Sequence, residues 1–223
     1  MEKVINELEN WGFLSKMPKE ANGFFLSLEQ SNSLRQKLVF TYKNNQTRRS
    51  FSILYDKTTK KYLAQASVGF TAFCNIDYMT DNLDKLEELL TARLEGTLHS
   101  LGEFDRKYLG YEFLQKKILD WPYTKELPAE VLGFELFITP REPVKVVNGS
   151  YIIIDYSDFD IESGLIIYYN IFRDEFFGEL RFKNTPLTTS EFDSKTLPEL
   201  EDKIKSGLNT VLASLRSKFN HNL

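Results

Sequence analysis

The stretch Asp155-Tyr156-Ser157-Asp158-Phe159-Asp160-Ile161-Glu162 sets carboxylates at alternating positions. Carboxylates spaced in this way can gather oxygen ligands around Ca²⁺ or Mg²⁺. Asp158, Asp160 and Glu162 are the candidate ligands. The stretch lacks the turn glycine and the distal bidentate glutamate of an EF-hand loop. The competing expectation is a solvated hairpin turn, where Asp and Ser bond their own backbone. Other chemistry is sparse. His99 and His221 are the two histidines and match no paired-ligand spacing. Cys74, in Phe73-Cys74-Asn75, has no base or cation beside it in sequence to make a thiolate. Glycine-rich phosphate loops and the Gly-x-Ser-x-Gly elbow are absent. The expectation is a non-enzymatic chain with no resident cofactor.

A second set of residues points to binding. Tyr151-Ile152-Ile153-Ile154 and Leu165-Ile166-Ile167-Tyr168-Tyr169 are apolar without alternation. A strand with one wet face alternates, so these should be covered on both faces. The cover is either the rest of the chain or a partner, since exposed aromatic patches commonly mark interfaces. Tyr151, Tyr156, Tyr168, Tyr169 and Phe172 are the candidate contacts. The leading expectation is a protein-binding, chaperone- or regulator-like chain using an apolar sheet face or a groove between its halves. The alternative is a small-molecule or metal-ion binder with a tyrosine-lined pocket in the second half.

These residues must be positioned by a repeated framework. The tryptophans, Trp11 and Trp121, lie 110 apart. At that offset Pro18 meets Pro128, Glu20 meets Glu130, and Gly23-Phe24 meets Gly133-Phe134. Four residues inserted near Pro140–Pro143 shift the offset to 114. Tyr42 then meets Tyr156, Tyr55 meets Tyr169, and Leu83, Leu86, Leu94 and Leu98 meet Leu197, Leu200, Leu208 and Leu212. Self-similarity of this kind marks a tandem duplication. The fold class expected is α+β, with each copy a helix, four antiparallel strands and a helix, over 1–101 and 102–223. Opening helices are predicted over Glu2–Asn10 and Tyr111–Asp120. The four strands of each copy are predicted at 23–29, 37–43, 50–56 and 62–68, and at 133–139, 151–157, 164–170 and 176–182, from β-branched and aromatic runs between polar turns. The closing helices follow from leucines every three or four residues.

Composition narrows the partners. A net charge of −4 argues against a general nucleic-acid binder. No apolar run approaches the roughly 20 residues that span a bilayer. The acidic start, Met1-Glu2-Lys3-Val4, is unlike a secretory signal. With Cys74 the sole cysteine, a disulfide framework is excluded, and a cytoplasmic location is expected. Residues 1–110 hold 15 Lys and Arg against 14 Asp and Glu, net +1, whereas the remainder holds 13 against 18, net −5. Such opposed charge could steer head-to-tail contacts in a homo-oligomer. The order helix, four antiparallel strands, helix, with a long amphipathic closing helix, resembles the type III secretion chaperone-like fold, including the bacterial YbjN regulators. That resemblance implies a non-catalytic protein that binds other proteins and often pairs two such units.

Overall fold

The computed structural model describes residues 7–8, 10–29, 31–146 and 149–220. The chain is α+β and divides into two compact units, Met1–Glu103 and Phe104–Leu223. The opening helix expected over Glu2–Asn10 falls mostly outside the described residues.

In the first unit, a 3₁₀ turn at Gly12–Lys16 leads into β1 (Glu20–Ala21), β2 (Phe24–Ser27), β3 (Gln36–Asn44), β4 (Arg49–Asp56), β5 (Lys61–Val68), β6 (Thr71–Thr80) and α1 (Leu83–Gly102). The six strands form one antiparallel sheet in chain order. In the second unit, a 3₁₀ turn at Arg106–Tyr108, α2 (Tyr111–Gln115) and two further 3₁₀ turns precede the sheet. Its strands are β7 (Glu130–Val131), β8 (Phe134–Ile138), β9 (Val144–Lys145), β10 (Ser150–Asp158), β11 (Ser163–Asn170), β12 (Glu175–Phe182) and β13 (Thr185–Ser194), followed by α3 (Leu197–Asn220). The sheet runs β13-β12-β11-β10-β8-β7, with β9 also paired to β10. The four-strand expectation is therefore corrected to six and seven strands. The expected helix 111–120 is also shorter: α2 stops at Gln115, Lys117 turns left-handed at φ 58°, and a 3₁₀ turn follows at Ile118–Asp120.

The hairpins share one device. Asn44, Asp56, Asp158 and Asn170 each use Oδ1 to accept a backbone N–H two or three residues on. Each such turn then contains a left-handed residue: Arg48, Lys60, Glu162 and Asp174. Short Asx side chains imitate the backbone in this way and so reverse the strand.

Bulges fix which side chains enter the core. Between β3 and β4 the register jumps from Leu38 to Phe40, and between β10 and β11 from Ile152 to Ile154. An extra residue there turns two successive side chains to the helix side. Val39 and Phe40 join the core of the first unit, and Ile153 and Ile154 that of the second. A larger irregularity marks the last strand of each sheet. Tyr62 pairs with Thr80 but Ala64 with Asn75; Phe176 pairs with Ser194 but Gly178 with Thr189. The looped-out segment drives Tyr78 and Phe192 inward, where both are fully buried.

The helices close each core. Asn82 Oδ1 accepts from Lys85 N at 2.8 Å and caps α1. Leu86, Leu90, Leu94 and Leu98 then bury one face at four-residue spacing. Arg49 donates to the carbonyls of Leu101 and Gly102 at the far end, satisfying orphan acceptors. On α3 the buried face is Leu200, Ile204, Leu208, Leu212 and Leu215. Trp11 Nε1 donates to Glu87 Oε2 at 2.9 Å, and Trp121 Nε1 to Glu201 Oε2 at 3.2 Å, tying each tryptophan turn to its helix. Tyr42 Oη donates to the Pro18 carbonyl and Tyr156 Oη to the Pro128 carbonyl, at 2.6 and 2.8 Å. Burial pushes the Tyr42 hydroxyl up to about 12 and that of Tyr156 higher, so both remain donors.

Candidate functional site

The tyrosines expected to form a contact surface are placed inside the protein. Tyr151 and Tyr156 are fully buried, Tyr169 is 2% exposed and Tyr168 6%. Tyr151, Tyr156 and Tyr169 belong to the hydrophobic core of the second unit, against Phe113 and α3. Tyr168 stacks on Phe177 with ring centroids 4.9 Å apart. Every residue of β11 is buried, which is why its sequence does not alternate. The surface reading of these four tyrosines is corrected: three build the core, and Tyr168 is buried on the opposite face of the sheet.

Phe172 is different. It sits in the turn between β11 and β12 and is 78% exposed. Gly149 lies beneath it at φ 70°, and a Cβ there would come within 2.6 Å of Phe172 Cε2. Asn170 Oδ1 holds the turn by accepting from the N–H groups of Phe172 and Arg173.

Two more exposed aromatics stand at this end of the unit, and neither was singled out by the sequence. Tyr111 opens α2 at 70% exposure, and Tyr108, in the preceding 3₁₀ turn, is 54% exposed. Gly110 N donates to Tyr151 Oη at 3.4 Å, anchoring the start of α2 to the start of β10. Lys116 ties α2 to the Phe172 turn. Its Nζ donates to Asp174 Oδ1 at 2.5 Å and to the Lys195 carbonyl at 2.8 Å, and lies over the rings of Tyr169 and Phe176. Tyr169 Oη donates to the same Asp174 oxygen at 2.9 Å. The bond from Lys116, then that from Tyr169, holds the Asp174 carboxyl below its ordinary range. Burial, then the neighbouring Asp174, pushes the Tyr169 hydroxyl up. The aromatic side chains therefore project from a pinned platform. Their signal in the sequence was asymmetry: Phe172 has Thr58 as its counterpart in the first unit.

The candidate metal ligands are not brought together. Asp158 spends both oxygens: Oδ1 accepts from the backbone N–H of Asp160 and Ile161, and Oδ2 pairs with Arg216 Nη2 at 2.6 Å. Arg216 also donates to the Leu132 carbonyl. Asp160 is exposed, and Glu162 takes the left-handed position of the turn at φ 49°. Among the described residues no three His, Cys, Asp or Glu side chains form a metal cluster. The expected tyrosine pocket differs too. A shallow depression between β12 and β13 is lined by Arg173, Glu175, Phe177, Thr188, Glu191 and Asp193, and by none of the tyrosines or turn carboxylates named above. His99 lies near Glu103 at 3.7 Å on the surface of α1, and His221 is outside the described residues. Cys74 is exposed on β6, and partial burial raises its thiol pKa, against a ready thiolate.

No helix of the described residues is long and apolar enough to cross a membrane. Comparison with known proteins found no matching family model, curated protein or solved structure.

Proposed function

We propose that the chain is a non-enzymatic protein-binding module, built by duplication of one α+β unit, whose contact surface is the aromatic end of the second unit. The observation that carries the reading is the exposure of Phe172, Tyr111 and Tyr108 on a scaffold fixed by Gly149, Tyr151 and the Lys116–Asp174 pair. Exposed aromatic side chains carried on a hydrogen-bonded backbone are frequent interface anchors. The duplication is supported by structural pairs at the two offsets, 110 before the insertion and 114 after it: the bulges at Val39 and Ile153, the tyrosine-to-proline bonds, and the tryptophan-to-glutamate bonds.

The test is retention of proteins from native-cell extract by the immobilised chain, compared with a Phe172→Ser/Tyr111→Ser variant of unchanged circular dichroism. The expected result is a protein held by the parent and lost from the variant. Equal retention by both, or none by the parent, rejects the assignment.

A further inference from the structure

We propose that the second sheet carries a proton-driven switch on the face turned away from α3, in which Arg181 exchanges one carboxylate partner, Glu179, for another, Asp155. Cross-strand register sets up the arrangement. Asp155 stands opposite Ile166, which stands opposite Glu179; one level along, Ser157 stands opposite Gly164, which stands opposite Arg181. Side chains in register share a face, so the two acids and the arginine lie on one surface of the sheet.

Asp155 is fully buried. Its Oδ1 accepts from Ser157 Oγ at 2.5 Å, while its Oδ2 has no hydrogen-bond partner. Arg181, with a side chain 14% exposed, forms an ion pair through Nη2 with Glu179 Oε1 at 2.7 Å that lacks hydrogen-bond geometry, and its buried Nε has no hydrogen-bond partner. Two buried acceptors, Asp155 Oδ2 and Glu179 Oε1, and one buried donor, Arg181 Nε, are thus unsatisfied on the same face, an arrangement native proteins rarely leave idle. Gly164 keeps the path between them clear. A Cβ there would meet Tyr156 O at 2.6 Å and Ser157 Oγ at 2.9 Å.

The charges that face Asp155 from the strands of its sheet are few. β12 contributes Arg181 and Glu179; β11 places Ile166 and Gly164 beside it; β8 places Ile138 opposite it, with exposed Glu135 one level away. Burial raises the Asp155 pKa to about 7, against the bond from Ser157 and the positive field of Arg181. While Asp155 is neutral, Arg181 answers Glu179. Once Asp155 ionises, a buried charge with a bare oxygen strongly favours a cationic donor. Glu179, 28% exposed on its side chain, can turn to water when released. The counterpart positions in the first unit are Thr41, Ser52, Gln65 and Ser67, which carry no charge. Thr41 and Ser52 satisfy each other at 3.0 Å, so the device belongs to the second unit alone.

The experiment is NMR titration of the full chain between pH 5 and 9, following the Asp155 carboxyl carbon and the Arg181 Nε–H pair. One shared midpoint for both signals is expected, with the Arg181 signal flat in Asp155→Asn. In Glu179→Gln, where a partly exposed residue changes and folding is not at stake, Arg181 should face Asp155 throughout. The Asp155 midpoint should then fall by at least half a pH unit. An Asp155 carboxyl that titrates while Arg181 stays still overturns the exchange, as does an Arg181 transition persisting in Asp155→Asn, a midpoint unmoved in Glu179→Gln, or no Asp155 titration in this range.

Discussion

The same place in the two units is filled by different chemistry. Beneath the last bulge of the first sheet, Tyr78 Oη shares a hydrogen bond with Thr97 Oγ1 at 2.6 Å. In the second unit these positions are Phe192 and Val211, and Phe192 lies fully buried in the core. A hydroxyl pair has been exchanged for an apolar pair, with both members changed. On the opposite face a hydroxyl pair is again lost, but its replacements do not match each other: Thr41 and Ser52 in the first sheet correspond to Asp155 and Ile166 in the second. The contrast shows what the framework demands. The bulge needs a large ring pointing inward, and is indifferent to its polarity provided the neighbour matches. A buried polar group is tolerated where a partner exists.

The largest effect expected on this comparison comes from removing the ring itself. Phe192→Ala and Tyr78→Ala should each cost about 3–5 kcal/mol of stability, as core truncations of aromatics do. Denaturant unfolding measures this, and a cost under about 1 kcal/mol for either would show that the bulge does not depend on its ring.

Next comes pH. Asp155 has a folded-state pKa of about 7. In the unfolded chain an aspartate titrates near 3.9. Between those values the folded state binds the extra proton, so stability falls as pH rises through that window and levels off above it. The loss should be on the order of 4 kcal/mol across the whole window, Arg181 already having lowered the folded-state value. Asp155→Asn should flatten that part of the profile, measured as urea midpoints at pH 5 and 7.5. An identical slope in the variant would remove Asp155 as its source.

Gly164→Ala should follow, at about 1–3 kcal/mol, because a methyl group has nowhere to go against Tyr156 O. Ser50 occupies the matching position in the first unit. Ser50→Ala should therefore be nearly silent, within about 0.5 kcal/mol. Thermal melts of the two variants side by side test the asymmetry.

Smaller still, Tyr78→Phe should cost about 1 kcal/mol for its bond to Thr97. Adding Thr97→Val should recover part of that loss, since the pair would then copy Phe192 and Val211. A double-mutant cycle with no coupling would separate the two positions.

Much of this framework was legible in the sequence. The central strands β3, β4, β5, β10, β11 and β12, together with β2 and β8, carry β-branched or aromatic runs, and β3, β4, β10 and β11 end in Asx turns. α1 and α3 carry unbroken leucine periodicity. β6 and β13 were missed because Thr71–Thr80 and Thr185–Ser194 hold Asn, Asp, Pro and Ser, and because three extra residues break their alternation. The non-alternating strands did report cover on both faces, but not whether a partner supplied it. Asp155 was read only as part of an acidic run, since its relation to Arg181 exists only once three strands are in register. Tyr111 and Tyr108 lay in a segment read only as a helix and its approach, and sequence alone does not separate an exposed ring from a buried one.

The terminal strands have a last consequence, concerning behaviour under stress. In the second sheet Pro186 faces Arg181 on the outermost strand, where the missing N–H blunts the edge against an incoming strand. In the first sheet the corresponding residue is Ala72, and Thr71–Ile76 carries neither proline nor charge, with Ile76 73% exposed. When the protein is heated or concentrated, β6 is expected to add a foreign strand more readily than β13, which light scattering of the heated protein would register as faster aggregation than in Ala72→Pro. Ala72→Pro, borrowed from the other half of the same chain, is the substitution that would close that edge.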